Sequence, residues 1–123
     1  EKLYRTIAAA KFVVFPSEWY ENCPFSVIEA QYYGTPVIAS RIGGTVELIK
    51  EGMTGEFFEP GNQKELEEKI RNLWGDSERL EEYTRNCKET DFLNLDKYCE
   101  KLLQIYGQSL WIAGNIHHTL LII

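Results

Sequence analysis

The sequence predicts an α/β fold in which parallel strands are joined by helices. Three observations carry that prediction. Two short apolar runs rich in β-branched residues, 12–15 and 36–39, read as strands. A helix-like run, 25–33, lies between them and ends at Gly34. Each strand is followed by a loop, one opened by Pro16 and one carrying the double glycine Gly43-Gly44. Parallel strands require such a crossover. It sets both loops at the carboxyl ends of the strands, the edge where open α/β sheets bind ligands.

The elements follow in order. Residues 1–10 suit a helix, with Leu3, Ile7 and Ala10 on one side to pack on the sheet, and Lys11 ends it. Residues 12–15 show no alternation, which predicts a strand buried on both faces. Pro16 and Ser17 stop it, and a polar loop carries Glu18, Trp19, Tyr20, Glu21, Asn22 and Cys23. In the next helix Phe25, Ile28 and Tyr32, with Val27 nearby, are spaced as a core stripe, and Glu29 lies beside it. Gly34 supplies the positive φ of a helix C-cap. The second strand follows, then the loop 40–44, whose glycines permit close backbone approach and a tight start to a helix over 45–50. A turn at 52–55, a short strand at 56–58 and a turn at Pro60-Gly61 come next. Residues 62–65 resemble a capping box, opening a helix with the stripe Leu66, Ile70, Leu73, Trp74 that stops at Gly75. A helix over 77–89 points Leu80, Tyr83 and Cys87 inward. Asn94 caps a third, with Leu95, Tyr98, Cys99, Leu102, Leu103 and Tyr106 as its stripe. The tail, 107–123, is apolar with an adjacent pair, His117 and His118, too few ligands for a metal site.

Composition narrows the function. The chain has 123 residues, 44% hydrophobic and 26% charged, so it reads as globular. Its net charge of −6 argues against a nucleic-acid surface, which needs clustered Lys and Arg. The three cysteines, Cys23, Cys87 and Cys99, are odd in number and form no CxxC. They read as reduced thiols of a cytosolic protein. Cys23 has no neighbouring His base, which favours packing over catalysis. No apolar run approaches the roughly 18 residues of a membrane span.

Two carboxylates stand out. Glu21 is in the first edge loop and Glu29 is on the following helix, eight positions later. At about 1.5 Å rise per residue, Glu29 remains near the ligand-facing end. The spacing suits one acid on a sugar and the other on a more distant part of the same ligand. Backbone N–H groups around Pro24 to Val27 sit at the positive end of the helix dipole, a natural phosphate site. Taken alone, a Glu-x7-Glu pair is weak, and Glu29 would be an ordinary exposed helix carboxylate.

The ordered set of motifs is far more specific. Pro16-Ser17, Glu21-Asn22-Cys23-Pro24-Phe25-Ser26-Val27-Ile28-Glu29-Ala30, Gly34-Thr35-Pro36-Val37-Ile38-Ala39-Ser40, Gly43-Gly44 and Glu47-Leu48-Ile49 resemble the donor-binding region of retaining glycosyltransferases of the GT-B fold, family 4 or group 1 type. Gly52-Met53-Thr54-Gly55-Glu56-Phe57-Phe58 and Pro60-Gly61-Asn62 match the usual continuation. The resemblance covers roughly residues 5–106, and Ser26 stands where a glycine is common.

The resemblance implies a Rossmann-like half of a GT-B C-terminal domain over 1–106, with extra C-terminal helices, and a separate tail over 107–123. It implies transfer of a sugar from a nucleotide-sugar donor to a carbohydrate or lipid-linked acceptor. Glu21 then contacts the transferred sugar near the reacting carbon, and Glu29 holds the nucleotide ribose. Cys23, Pro24 and the N–H groups of Phe25, Ser26 and Val27 receive the diphosphate. Gly43 and Gly44 shape the sugar pocket, and the loop with Trp19 and Tyr20 lines it. No metal and no cofactor are expected beyond the nucleotide-sugar substrate. A complete GT-B enzyme is about three times this length. The chain therefore reads as a fragment whose acceptor domain, or a partner chain supplying it, lies elsewhere, and which alone should not catalyse transfer. The expected setting is the cytoplasm, with the full-length protein at the membrane periphery or free of it. Two alternatives stay open at this point: a non-catalytic nucleotide-sugar-binding subunit, and a sugar-nucleotide epimerase of the GT-B type.

Overall fold

The computed structural model describes residues 2–91 and 103–105. The chain divides into two compact units, Glu1–Thr90 and Asp91–Ile123. In the second, residues 103–105 are helical. The rest of the predicted third helix, with Cys99, and the tail with His117 and His118 lie outside the described residues.

The first unit runs α1 (Lys2–Ala9), β1 (Val13–Phe15), α2 (Phe25–Tyr32), β2 (Val37–Ser40), α3 (Thr45–Leu48), β3 (Gly55–Phe58), α4 (Gln63–Gly75) and α5 (Ser77–Glu89). The strands form a three-stranded sheet in the order β1-β2-β3. Both pairings are parallel, with Phe15 opposite Ala39 and Ser40 opposite Phe58. All three carboxyl ends therefore share one edge. A helical connection between each pair of strands makes this possible.

Helices cover both faces of the sheet, as a parallel sheet requires. On one face Val27 and Ala30 of α2 pack with Val37, Ala39, Ile49 and Phe57. On the other, Leu73 of α4 and Leu80 and Tyr83 of α5 pack with Ile38 and Phe58. Leu80, Tyr83 and Cys87 are buried, matching the inward face expected of α5.

Three expectations are corrected. β1 is half-buried along its length rather than buried on both faces. Like β3 it is an edge of the described sheet, but α4 and α5 close over β3, whereas α1 buries no residue fully. α1 buries no residue fully, and Leu3 is 63% exposed. It docks through half-buried Ile7, whose carbonyl accepts from Thr35 Oγ1 at 2.8 Å. The third correction concerns α2, whose buried residues are Val27, Ala30 and Gln31. Phe25 and Tyr32 are 75% and 66% exposed. Bulk suggested the wrong stripe. Small Ala30 lets the helix lie close to the sheet, and Gln31 is drawn in because its Nε2 donates to the Leu48 carbonyl at 3.0 Å, satisfying the end of α3.

Helix ends follow their local chemistry. Gly34 has φ +80° and closes α2, its N–H donating to Gln31 while that of Thr35 donates to Ala30. Asn62 caps α4 by accepting from the Glu65 N–H at 3.2 Å. α4 runs through Gly75. Asp76 then ends it and also caps α5 through the Arg79 N–H.

Candidate functional site

The carboxyl edge of the sheet carries the β1–α2 and β2–α3 loops, and these are bonded to each other. The Gly44 N–H donates to the Glu21 carbonyl at 2.7 Å. The two backbones approach so closely that side chains are excluded. A Cβ on Gly44 would stand 1.9 Å from the Asn22 carbonyl oxygen. One on Gly43, whose φ is +57°, would stand 2.5 Å from the Glu21 carbonyl oxygen. The double glycine thus meets the neighbouring loop, which the sequence alone did not specify.

Further contacts hold these loops. Ser17 Oγ accepts from the Trp19 N–H at 3.2 Å and donates to the Trp19 carbonyl at 3.1 Å, an ST-type turn at the exit of β1. In the second loop Thr45 Oγ1 donates toward the carbonyls of Ser40 and Ile42. Its burial at 1% exposure is satisfied in this way.

After Glu21 the chain enters α2 with Pro24 as N-cap, in an extended conformation and without a side-chain cap. Cys23 is exposed and Pro24 buried. Of the three N–H donors expected here, that of Val27 donates to the Pro24 carbonyl at 3.1 Å, and the Val27 side chain is buried. No described residue accepts from the N–H of Phe25 or Ser26. Both lie at the positive end of the helix dipole. Glu29 is the fifth residue of α2 and half-buried, and Glu21 is exposed.

The basic side chain of this edge is already engaged. Arg41 Nη2 pairs with Glu51 at 2.6 Å and its Nε lies 3.8 Å from Glu59, while its guanidinium sits over the Phe57 ring. The hydrogen bond from Arg41 holds the Glu51 carboxyl below its ordinary value. No group of three His, Cys, Asp or Glu suited to a metal ion occurs among the described residues. Nor is any described helix long and apolar enough to cross a membrane.

Sequence reasoning missed one polar cluster. Glu56, in β3, is 9% exposed. Its carboxylate accepts from Tyr83 at 2.6 Å and Lys69 at 3.0 Å, with Arg79 3.9 Å away. A Glu inside a short apolar strand was the available signal. Burial first, and then the bond to Glu56, push the Tyr83 hydroxyl well above its usual value. The carboxylate is fully partnered, so the cluster fastens α4 and α5 to the sheet.

The sequence matches the family model described as glycosyl transferases, group 1, over residues 1–90. It is 36% identical over 74 residues to a sucrose synthase of Melioribacter roseus, covering 60% of this chain and 9% of that protein. It is similar to sucrose-phosphate synthase from Thermosynechococcus elongatus, at 28% identity and a TM-score of 0.75, over 87% of this chain and 27% of that one. HepE from Anabaena, solved in complex with UDP and with UDP-glucose, superposes with a TM-score of 0.65 at 28% identity, over 68% of this chain and 23% of that one. The chain thus spans about a quarter or less of the relatives it matches.

Proposed function

The chain belongs to the group 1 glycosyl transferases, and from that premise we propose that it supplies the donor half of a glycosyl-transfer site. The donor is a nucleoside-diphosphate sugar. Glu21 accepts hydrogen bonds from hydroxyls of the transferred sugar, and Glu29 takes two hydroxyls of the ribose. The free N–H groups of Phe25 and Ser26 face the diphosphate at the positive end of α2. They stabilise the charge that grows as the bond from the anomeric carbon to the diphosphate breaks and a bond to an acceptor hydroxyl forms. Gly43 and Gly44 serve this site by carrying the Glu21 loop. Cys23 and Pro24 form the turn that presents the two N–H groups. The acceptor is a carbohydrate or a lipid-linked carbohydrate. A further domain or partner chain completes the site, and a metal has no assigned place in it.

What supports the reading is one meeting of elements. The Gly44 N–H bond to the Glu21 carbonyl draws both edge loops together at the start of α2, where two backbone donors await an acceptor. The test is ligand-observed NMR of the 123-residue chain with UDP, GDP and ADP, beside Glu29→Ala. UDP is the expected ligand, since it is bound by the similar HepE. Losing the ribose contacts should weaken it about tenfold. Absence of binding by every nucleotide, in a sample whose circular dichroism melt is cooperative, sinks the proposal.

A further inference from the structure

We infer that Gln31 is a positioning residue for the sugar half of the donor site, acting through α3 to hold the Gly43-Gly44 loop against the Glu21 loop. The inference rests on the donor reading for what these loops hold, and on the following contacts for how they are held.

Gln31 breaks the pattern of the core around it. It is fully buried next to Ala30, which packs on the sheet. A buried amide ordinarily uses both of its ends. Here Nε2 donates to the Leu48 carbonyl at 3.0 Å, but Oε1 has no partner among the described residues. An orphaned buried oxygen costs as much as a single neutral hydrogen bond returns. Gln31 therefore adds little net stability, and its effect lies in what the bond joins.

The bond joins α2 to α3. A single turn such as Thr45–Leu48 is too short to be stable by itself. Thr45 is its one fully buried residue, Leu48 is half-buried, and Val46 and Glu47 are exposed. Thr45 ties the turn to its own loop, through the carbonyls of Ser40 and Ile42. Two further bonds tie it to the preceding segment, one at each end. The Gly44 N–H donates to the Glu21 carbonyl ahead of α2, and the Leu48 carbonyl accepts from Gln31 within α2. No backbone N–H of the described residues outside the helices reaches that carbonyl. Glu21, α2, Gln31, Leu48, α3 and Gly44 thus form a closed frame.

In a closed frame, one corner sets the place of the other. Four residues at about 1.5 Å each separate the Gln31 bond from the Gly44 bond. Releasing Leu48 lets the turn tilt on Ile49, which is buried in the core just beyond it, and the tilt is felt at Gly44. The Glu21 loop, to which the transferred sugar is assigned, moves with Gly44. Glu29 and the N–H groups of Phe25 and Ser26 belong to α2 itself, which Val27 and Ala30 seat on the sheet. Loss of the Gln31 bond therefore falls on the sugar and spares the nucleotide.

The test uses the 15N-labelled 123-residue chain and two variants, Gln31→Met and Gln31→Leu. Both keep an apolar side chain of similar size in place while removing the donor and the orphaned oxygen together. Asn62→Ala serves as comparison, since it lowers stability by uncapping α4, outside the frame. Hydrogen exchange of the Gly44 amide, melting temperature, and the dissociation constants of UDP and UDP-glucose are measured. Both Gln31 variants should speed Gly44 exchange about tenfold and leave the amides of β2 unchanged. Their melting temperatures should fall less than that of Asn62→Ala. Affinity for UDP-glucose should drop about tenfold, and affinity for UDP by less than about twofold. The inference is overturned if Gly44 exchange rises no more than in Asn62→Ala, which would leave Ile49 alone holding α3. It is also overturned if UDP and UDP-glucose weaken equally, or if only one of the two Gln31 variants shows the effect, which would assign it to packing. Failure of the unsubstituted chain to bind UDP would sink the donor reading, and Gly44 exchange would still decide the frame.

Discussion

Gly44 shows how one residue type can be fixed by a neighbour distant in sequence. Its Cβ would lie inside the Asn22 carbonyl, and backbone cannot rotate away as a side chain can. Gly44→Ala should therefore cost about 1–3 kcal/mol in urea unfolding. Amide exchange should rise in the Glu21 loop before it rises in β2. Gly61 offers the contrast, with φ +77° and nothing within 4 Å of an added Cβ. Gly61→Ala should cost about 1–2 kcal/mol through backbone strain alone and leave ligand binding unchanged. At Tyr83 the loss is a hydrogen bond to a buried carboxylate, so Tyr83→Phe should destabilise by about 1.5–3 kcal/mol. Cys87 supplies a pH signature. Burial raises its thiol from 9.0 to about 11. Below pH 9 both folded and unfolded states hold the proton, so this thiol adds no pH dependence. Between pH 9 and 11 the unfolded state loses the proton first, and stability falls across that window. A pH series of urea melts should show this fall, and Cys87→Ala should flatten that part of it.

At the scale of elements, cap and turn chemistry was the most legible. The positive φ of Gly34, the cap at Asn62 and the inward face of α5 follow from side chains acting within a few positions. Asn62→Ala should accordingly lose about 1 kcal/mol, read as a lowered melting temperature, because it removes the cap bond from the Glu65 N–H and the Asn62 Nδ2 bond to the Glu65 carboxylate. The face of α2 was not legible in the same way. Periodicity identifies a stripe, but an eight-residue helix offers two, and bulk favoured the one that faces outward. The sheet chose the other because Ala30 permits close approach and Gln31 can reach the Leu48 carbonyl. Position in the first turn separates the N–H donors: that of Val27 reaches back to the Pro24 carbonyl, while those of Phe25 and Ser26 have no acceptor among the described residues.

For the whole molecule, binding and stability are linked. A ligand held only by the folded state stabilises it by about 2.7 kcal/mol at one hundred times its dissociation constant. UDP at that excess should raise the melting temperature of the chain in a thermal scan, and should raise it less in Glu29→Ala. The parallel topology, the order of elements and the loops at the carboxyl edge of the sheet were set by the sequence itself. Apolar runs, helix stops and glycine turns act over short distances and repeat at the spacing of strand, helix, strand. The motif order also placed the chain in its family, a conclusion the match over residues 1–90 bears out. Only the tertiary structure decided which contacts those motifs make. It made β1 an edge, turned α2 onto its smaller face, spent Arg41 on Glu51 and joined Glu56 to Tyr83. It also set Gly44 against Glu21 and left Trp19 and Tyr20 in solvent. These outcomes depend on atoms brought together from far along the chain. Local pattern carries no information about such distances, because packing alone determines them.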